Sequence, residues 1–176
     1  YVADRRMVAD GNVVTTTGIT AALPMMLALI EAIAGPEQAE VVATDLGTGN
    51  WDMRHASDAF QLTRPFATRV LANRMLFWNR DDWGIELEAG MDEVSLAMIA
   101  DAWSRTYRSH AVTFAQAPSA LPTANGVRIL PDRVEDGWQE DRTASIYPDE
   151  RPADALDQAL ETITEHYGEA TTNVVA

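Results

Sequence analysis

The chain has 176 residues, with 13 basic and 27 acidic side chains, a formal charge of −14 and no cysteine. At roughly 150 residues per domain, this length accommodates one ordinary domain or parts of two, and the apolar content is sufficient for a buried core. The acidic surface predicts no nucleic-acid binding by this region, because it repels phosphate groups. The absence of cysteine excludes a disulfide framework, a thiolate metal site and a cysteine nucleophile within these residues.

Membrane insertion by this region is not expected. The longest apolar run, Ala21 to Ala34, is interrupted by Pro24 and Glu31 and is shorter than the roughly 20 residues that cross a bilayer. No signal peptide is visible. Localisation stays open, and the cytoplasm is the favoured expectation.

Both ends of the chain have the character of cuts through a longer protein. Tyr1 is not an initiator methionine, and strand character begins at once. The last four residues, Asn173 to Ala176, are mainly apolar and carry no polar cap. We therefore expect the sequence to be a fragment.

The first 78 residues predict one hairpin and three helices. Asp10-Gly11 provides a tight turn between strands Arg6–Ala9 and Asn12–Thr16. Helical spacing of apolar residues then predicts helices over residues 20–34, 37–46 and 64–78. The polar run Asn79 to Asp82 predicts a domain boundary.

The second half alternates strands and helices. Strand character over 83–87 is followed by a helix that starts at Asp92-Glu93, whose charges suit the positive end of a helix dipole. A strand over 111–115 and a hairpin of 121–123 with 127–130 come next. The polar, proline-rich stretch from Arg133 to Pro152 predicts a long loop, and Asp154–Tyr167 predicts a final helix.

An internal repeat emerges when the chain is shifted by 133 positions. The shift places Leu23 on Leu156, Leu27 on Leu160, Ile30 on Ile163, Gly35 on Gly168, and residues 41–43 on 174–176, without a gap. Amphipathic helices that end at glycine produce some matches of this kind by themselves. The alternative that we prefer is two copies of one unit.

Several segments resemble the ThiJ/PfpI family of the class I glutamine amidotransferase-like superfamily. The first copy is similar to its C-terminal part, through the run Arg6 to Ala22 (RMVADGNVVTTTGITAA) and through residues 27–35 and 39–43. Residues 85–94, 111–115 and 126–132 are similar, more weakly, to the opening elements of the same domain. The resemblance implies that 1–46 is the C-terminal part of one domain, 47–82 a helical connector, and 83–176 an abbreviated second unit.

The resemblance also implies a fold and a place for chemistry. The implied fold is α/β, an incomplete flavodoxin-like three-layer sandwich. Active relatives carry a cysteine on a strand-to-helix turn, a nearby histidine and an acidic residue early in the first helix. Ser95 stands where that acidic residue is expected, and no cysteine exists in the chain, so the second unit is expected to be catalytically inactive.

A ligand-pocket rim is predicted at Thr16, Thr17, Gly18 and Ile19. These residues, together with Thr15, end a strand and enter a helix, where open α/β sheets place their ligand crevice. Free N–H groups at the helix start suit a carboxylate or carbonyl oxygen. Strand formers followed by a helix cap explain the same residues equally well.

Other polar residues point to structure rather than chemistry. Asp92 and Glu93 are adjacent on a helix and cannot share one proton as a catalytic dyad does. His55 lies near Asp52 and Asp58 in sequence, but no nucleophile is tied to it by spacing. His110 and His166 are expected near a strand start and in the last turn of a helix. We expect no catalytic residue, metal ligand or cofactor in this region.

Two functions of different class follow. The first is a fragment of a ThiJ/PfpI-type amidotransferase-like protein whose cysteine chemistry, if present, precedes Tyr1. Its expected partners are the missing N-terminal half of the same protein, a small-molecule ligand and a second copy in a homodimer. The alternative is a non-enzymatic ligand sensor similar to the N-terminal domains of AraC-type regulators. A single compact α/β unit with only partial resemblance is a third interpretation.

Overall fold

The fold is mixed α/β, as the sequence predicts. The computed structural model describes residues 4–16, 22–49, 51, 54, 63–75 and 80–175. The chain divides into two compact units, Tyr1–Leu62 and Thr63–Ala176. No helix in the described ranges has the length and apolar character to cross a membrane.

The first unit begins with the predicted hairpin. Strands β1 (Met7–Asp10) and β2 (Val13–Thr16) are antiparallel, and Asp10 pairs with Val13. The two loop residues are therefore Gly11 and Asn12, one position later than predicted. Gly11 has a φ of 58°, and glycine with positive φ at the first loop position is typical of a type II′ turn.

Two helices complete the described part of the first unit. Helix α1 (Ala22–Ala34) and helix α2 (Pro36–Leu46) are joined by Gly35 and pack against each other. Leu27 of α1 and Ala39 and Ala43 of α2 are buried. Gly47, in the left-handed conformation with φ 76°, ends α2.

The second unit contains four helices and five strands among the described residues. In chain order these are α3 (Arg64–Met75), β3 (Asp81–Glu86), α4 (Glu93–Arg105), β4 (Ser109–Ala115), β5 (Leu121–Pro122), β6 (Arg128–Ile129), β7 (Arg133–Val134), α5 (Pro152–Tyr167) and α6 (Glu169–Val175). A single 3-10 turn, Glu140–Arg142, lies between β7 and α5. The strands β5 and β6 form the predicted hairpin.

A parallel sheet with the strand order β3-β4-β7 organises the second unit. Strand β3 pairs with β4 from Asp81 opposite Ser109 to Glu86 opposite Phe114, and β7 pairs with the last two residues of β4. The interpretation of 133–152 as a loop is thus wrong at its start, because Arg133–Val134 is the third strand. Thr143 also forms a bridge with Gly84.

The core of the second unit lies between β3, α4 and α5. Trp83 and Trp103 stack with ring centroids 3.7 Å apart, and both are almost completely buried. Ile85, Ile99 and Ile163 are fully buried beside them. Large apolar side chains in close contact supply the main free energy of folding in such a core.

The predicted domain boundary at Asn79–Asp82 differs from the division between the two compact units, which lies after Leu62. Asp81 and Asp82 are the first residues of β3, and α3, assigned to the connector 47–82, packs on α6 of the second unit. The buried residue of α3 is polar: Asn73 donates to the Thr106 carbonyl oxygen at 3.0 Å. A boundary within 79–82 follows from local polarity, whereas Asp81 and Asp82 pair with β4 and form ion pairs with arginines. Asn79 lies outside the described residues.

Asn173, Val174 and Val175 of the C-terminal apolar run belong to a helix that the sequence did not predict. Residues 169–175 form α6, in which Val174 and Val175 are buried. Thr171 in the same helix is also buried and accepts a hydrogen bond from Asn73 at 3.5 Å. The burial of a polar residue in this short helix disrupts the apolar pattern on which the sequence prediction depends.

The segments matched by the 133-residue shift have the same local geometry. Gly35 has φ 91° and ψ 165°, and Gly168 has φ 82° and ψ 155°. The Gly35 N–H donates to the Glu31 carbonyl, and the Gly168 N–H donates to that of Thr164, which is the residue equivalent to Glu31. Both segments are therefore a helix, a glycine with positive φ and a second helix.

Candidate functional site

The predicted pocket rim lies mostly outside the described residues. Thr16 ends β2, is exposed to solvent and pairs with Met7 across the hairpin. Thr17, Gly18 and Ile19 are outside the described part of the chain. The rim stays a prediction, and the polar geometry that can be described belongs to the second unit.

Two of the three histidines lie in the described part of the chain. His55 lies outside the described residues. His110 is exposed on β4, with Nδ1 3.8 Å from Asp82 Oδ1. The His166 ring meets Trp83 edge-on at 5.0 Å, in the last turn of α5. Across the described ranges, no three His, Cys, Asp or Glu side chains are grouped to hold a metal ion.

Helix α4 begins near the carboxyl end of β3, where α/β folds place ligands. The Asp92 carboxylate accepts a hydrogen bond from the Ser95 backbone N–H at 2.6 Å. This bond caps one of the free N–H groups at the helix start. Asp92 therefore begins the helix, as its position in the sequence predicts.

The Glu93 carboxyl, at the start of α4, interacts with the turn of the β5–β6 hairpin, while its Oε2 is buried without a hydrogen-bond partner among the described residues. Burial raises the pKa of the Glu93 carboxyl, but hydrogen bonds from Thr123 and Asn125 and from its own backbone outweigh burial, so the pKa lies below its ordinary value. A general acid at neutral pH needs a raised pKa. The Glu93 carboxylate is thus suited to holding the hairpin, and not to donating protons.

Ser95 occupies the position at which the resemblance implies an acidic residue. Its side chain is buried, and Oγ has no hydrogen-bond partner among the described residues. A hydroxyl there carries no charge at neutral pH, so it cannot polarise a neighbouring nucleophile as a carboxylate does.

The polar depression of the second unit was not predicted from the sequence. It is an open groove of about 550 Å³ beside the sheet, lined by Asp82, Arg133, Glu135, Gly137, Trp138, Gln139 and Arg142. These lining residues contain no hydroxyl, thiol or imidazole that could act as a nucleophile. The groove therefore presents carboxylate and guanidinium charges together with the hydrogen-bonding groups of Trp138 and Gln139.

The centre of the groove is built around Trp138. The indole lies directly against Gly84 of β3, where a Cβ atom would overlap it. The same ring stacks with Phe114 of β4 at 5.3 Å, and the Arg133 guanidinium lies 5.4 Å from its centroid. Gly84 between two apolar strand residues is the sequence signal for such a close approach.

The two arginines that line the groove are paired with carboxylates. Arg133 contacts Asp82 at 2.6 Å, and Arg142 contacts Asp81 at 3.2 Å. Asp81 also accepts a hydrogen bond from the Tyr167 hydroxyl at 3.1 Å. Both guanidinium groups are thus engaged by carboxylates, so the groove does not present an open anion site.

Comparison of the chain with known proteins found no match. No protein-family model, no curated protein and no solved structure matches the chain. The ThiJ/PfpI resemblance therefore stays a prediction, and the functional argument depends on the geometry above.

Proposed function

We propose that the chain is the non-catalytic part of a tandem ThiJ/PfpI-type protein with flavodoxin-like domains. Under this proposal, any cysteine chemistry belongs to residues that precede Tyr1. The hairpin and the α1–α2 pair would help to form the pocket of that first domain. Residues 83–176, with α3 packed against them, would form an inactive second copy.

The observation that carries this proposal is the geometric match between α1–Gly35–α2 and α5–Gly168–α6. A shared apolar spacing alone is common among helices, but a shared positive φ and equivalent hydrogen bonds at both glycines are more specific. Two such segments 133 residues apart in sequence support a duplicated unit.

Inactivity of the second copy is supported by the side chains at its candidate sites. Ser95 replaces the implied acidic residue, Glu93 has a lowered pKa, and the groove beside Trp138 has no hydroxyl, thiol or imidazole in its lining. The chemistry that the resemblance implies requires a cysteine next to a histidine, and these residues supply neither.

The test is to determine the reading frame that precedes Tyr1 and to assay the whole protein. We expect a cysteine on a glycine-flanked strand-to-helix turn, followed by a histidine. Substitution of that cysteine by alanine should abolish hydrolase or amidase-like activity, and Ser95→Ala should leave it unchanged. A reading frame without such a cysteine would overturn the enzymatic proposal and favour the ligand-sensor alternative.

A further inference from the structure

The turn of the β5–β6 hairpin carries an asparagine followed by a glycine. Among the asparagines of the sequence, only Asn125 has this neighbour, and both Asn125 and Gly126 are exposed to solvent. A Cβ atom added at Gly126 would meet no neighbour. Because glycine has no side chain to shield its backbone nitrogen, this nitrogen can reach the side-chain carbonyl carbon of the asparagine before it.

The turn depends on hydrogen bonds that close a short loop. The Gly126 N–H donates to the Thr123 carbonyl at 3.1 Å, and the Thr123 N–H donates to the Val127 carbonyl at 2.8 Å. Gly126 has a φ of 83°, so the loop is a type I turn followed by a left-handed residue, a common hairpin connection. This geometry holds only for the normal number of backbone atoms between Thr123 and Val127.

The same turn is attached to the loop that precedes helix α4. The Ala124 N–H donates to the Met91 carbonyl at 2.8 Å, and the Gly90 N–H donates to the Pro122 carbonyl at 2.8 Å. These two bonds flank Asn125 on its N-terminal side. A change in the turn therefore acts directly on the contact between the hairpin and the start of α4.

A carboxylate also faces the Asn125 side chain. Burial raises the pKa of the Glu93 carboxyl, and the hydrogen bonds that outweigh burial include those from the side chain and the backbone of Asn125. An amide at position 125 thus favours the charged form of Glu93. A carboxylate at position 125 would replace this donor by a like charge.

The hairpin is suited to local opening. Strands β5 and β6 contribute two residues each and form a two-stranded sheet of their own. Such a hairpin is marginally stable, and segments of low stability open without unfolding the rest of the protein. Opening frees the Gly126 nitrogen from the Thr123 carbonyl.

We propose that Asn125 and Gly126 form a self-modifying site, at which loss of ammonia from Asn125 releases the hairpin from the start of α4. The Gly126 nitrogen attacks the Asn125 Cγ atom and gives up its proton. The side-chain nitrogen leaves with that proton as ammonia, and a cyclic succinimide remains. Water then opens the ring at one of its two carbonyl carbons, which produces aspartate or isoaspartate. This inference is independent of the proposed function, because every reacting atom belongs to this chain or to water.

Each product breaks a different part of the attachment. Aspartate places its carboxylate beside that of Glu93. Isoaspartate carries the backbone through its own side-chain carbons, which lengthens the turn by one methylene group and displaces the bonds that join Thr123 to Val127. The chain does not reverse the hydrolysis, so released hairpins accumulate with the age of the protein.

Peptide mapping tests the reaction. The purified 176-residue chain is incubated at mildly alkaline pH, and the asparagine-containing peptides are followed by chromatography and mass spectrometry. Asn12 is the internal control, because it is exposed in the β1–β2 turn but is followed by Val13. We expect Asn125 to convert roughly tenfold faster than Asn12 or more, since a β-branched neighbour crowds the reacting nitrogen. Equal rates would overturn the proposal.

Hydrogen exchange tests the release. In the converted protein, the Gly90 and Ala124 amides should exchange several-fold faster than before conversion, whereas the Ala144 amide, which is bonded to Gly84, should be unchanged. Asn125→Asp should reproduce part of the increase without incubation. Asn125→Gln keeps an amide but closes a larger ring slowly, so its exchange should not change with time. Conversion without faster exchange at Gly90 and Ala124 would overturn the release.

Discussion

Trp138 lies against Gly84 so closely that a single methyl group on the strand would occupy the same space as its indole ring. The contact joins the middle of β3 to the segment that follows β7. It fixes that segment on the sheet, with Phe114 below the indole and the Arg133 guanidinium beside it.

Replacement of Gly84 by alanine should destabilise the protein. Overpacking of a close contact costs about 1–3 kcal/mol, and here the indole must move away from the sheet. The measurement is the free energy of unfolding in urea. Gly49→Ala is the control, because a Cβ atom at Gly49 meets no neighbour.

A double substitution isolates the contact. Trp138→Ala removes the ring that Gly84→Ala displaces. The double variant should therefore lose less unfolding free energy than the sum of the losses in the two single variants. Strict additivity would show that the indole and Gly84 do not interact in solution.

Substitution of Asn73 by leucine should also reduce stability. The change keeps the side-chain volume but leaves the Thr106 carbonyl and the Thr171 hydroxyl without the amide that joins them. A buried polar group that loses its partner costs about 1–3 kcal/mol. Urea unfolding of the variant is compared with that of Arg69→Ala, an exposed position on the same helix. Equal stabilities of the two variants would contradict a role for the Asn73 amide.

The Tyr167 hydroxyl gives stability a dependence on alkaline pH. Burial, with Asp81 nearby, raises the pKa of Tyr167 above its ordinary value of 10.0, although the hydrogen bond from Trp83 acts in the opposite direction. The unfolded chain therefore loses this proton at lower pH than the folded chain. The contribution of Tyr167 to stability is fully present below pH 10 and is lost as the pH rises through its folded pKa.

Tyr167→Phe should remove part of this loss of stability at alkaline pH. Unfolding free energies at pH 9, 10 and 11 are compared for the original chain, Tyr167→Phe and the control Tyr107→Phe. We expect a flatter profile only for Tyr167→Phe. A profile as steep as that of the original chain would refute the assignment to Tyr167.

Glu93 gives the opposite dependence, at acid pH. Its folded pKa is lowered from 4.5, so its contribution is present above that value and is lost as pH falls through the folded pKa. Glu93→Gln should therefore reduce stability at pH 7 and lose its effect towards pH 3. Thermal unfolding at several pH values checks this, with the exposed Glu88→Gln as the control.

Much of the secondary structure was predictable because its signals are local. Asp92 caps α4, Gly47 ends α2, and Gly11 permits the hairpin turn. Strand β7 was not predictable, because its two residues pair with β4 only through contacts that are distant in sequence. Helix α6 was missed since it is short and buries Thr171.

The candidate groove was harder to predict than the fold. Its central contact joins Gly84 to a tryptophan in a polar segment that resembles a loop in sequence. The glycine between Trp83 and Ile85 indicates that something approaches the strand closely. Which residue approaches is decided by the path of the chain after β7, and local patterns do not encode that path.

The hydrogen bond from Asn73 to Thr171 has a consequence for biosynthesis. The two residues are 98 positions apart in sequence, and they join the first helix of the second unit to its last. A ribosome adds roughly 5–20 residues per second, so α3 waits several seconds for its partner to be made. During that interval the Asn73 amide lacks its partner on α6, and synthesis of α6 is the step that completes the packing of the unit.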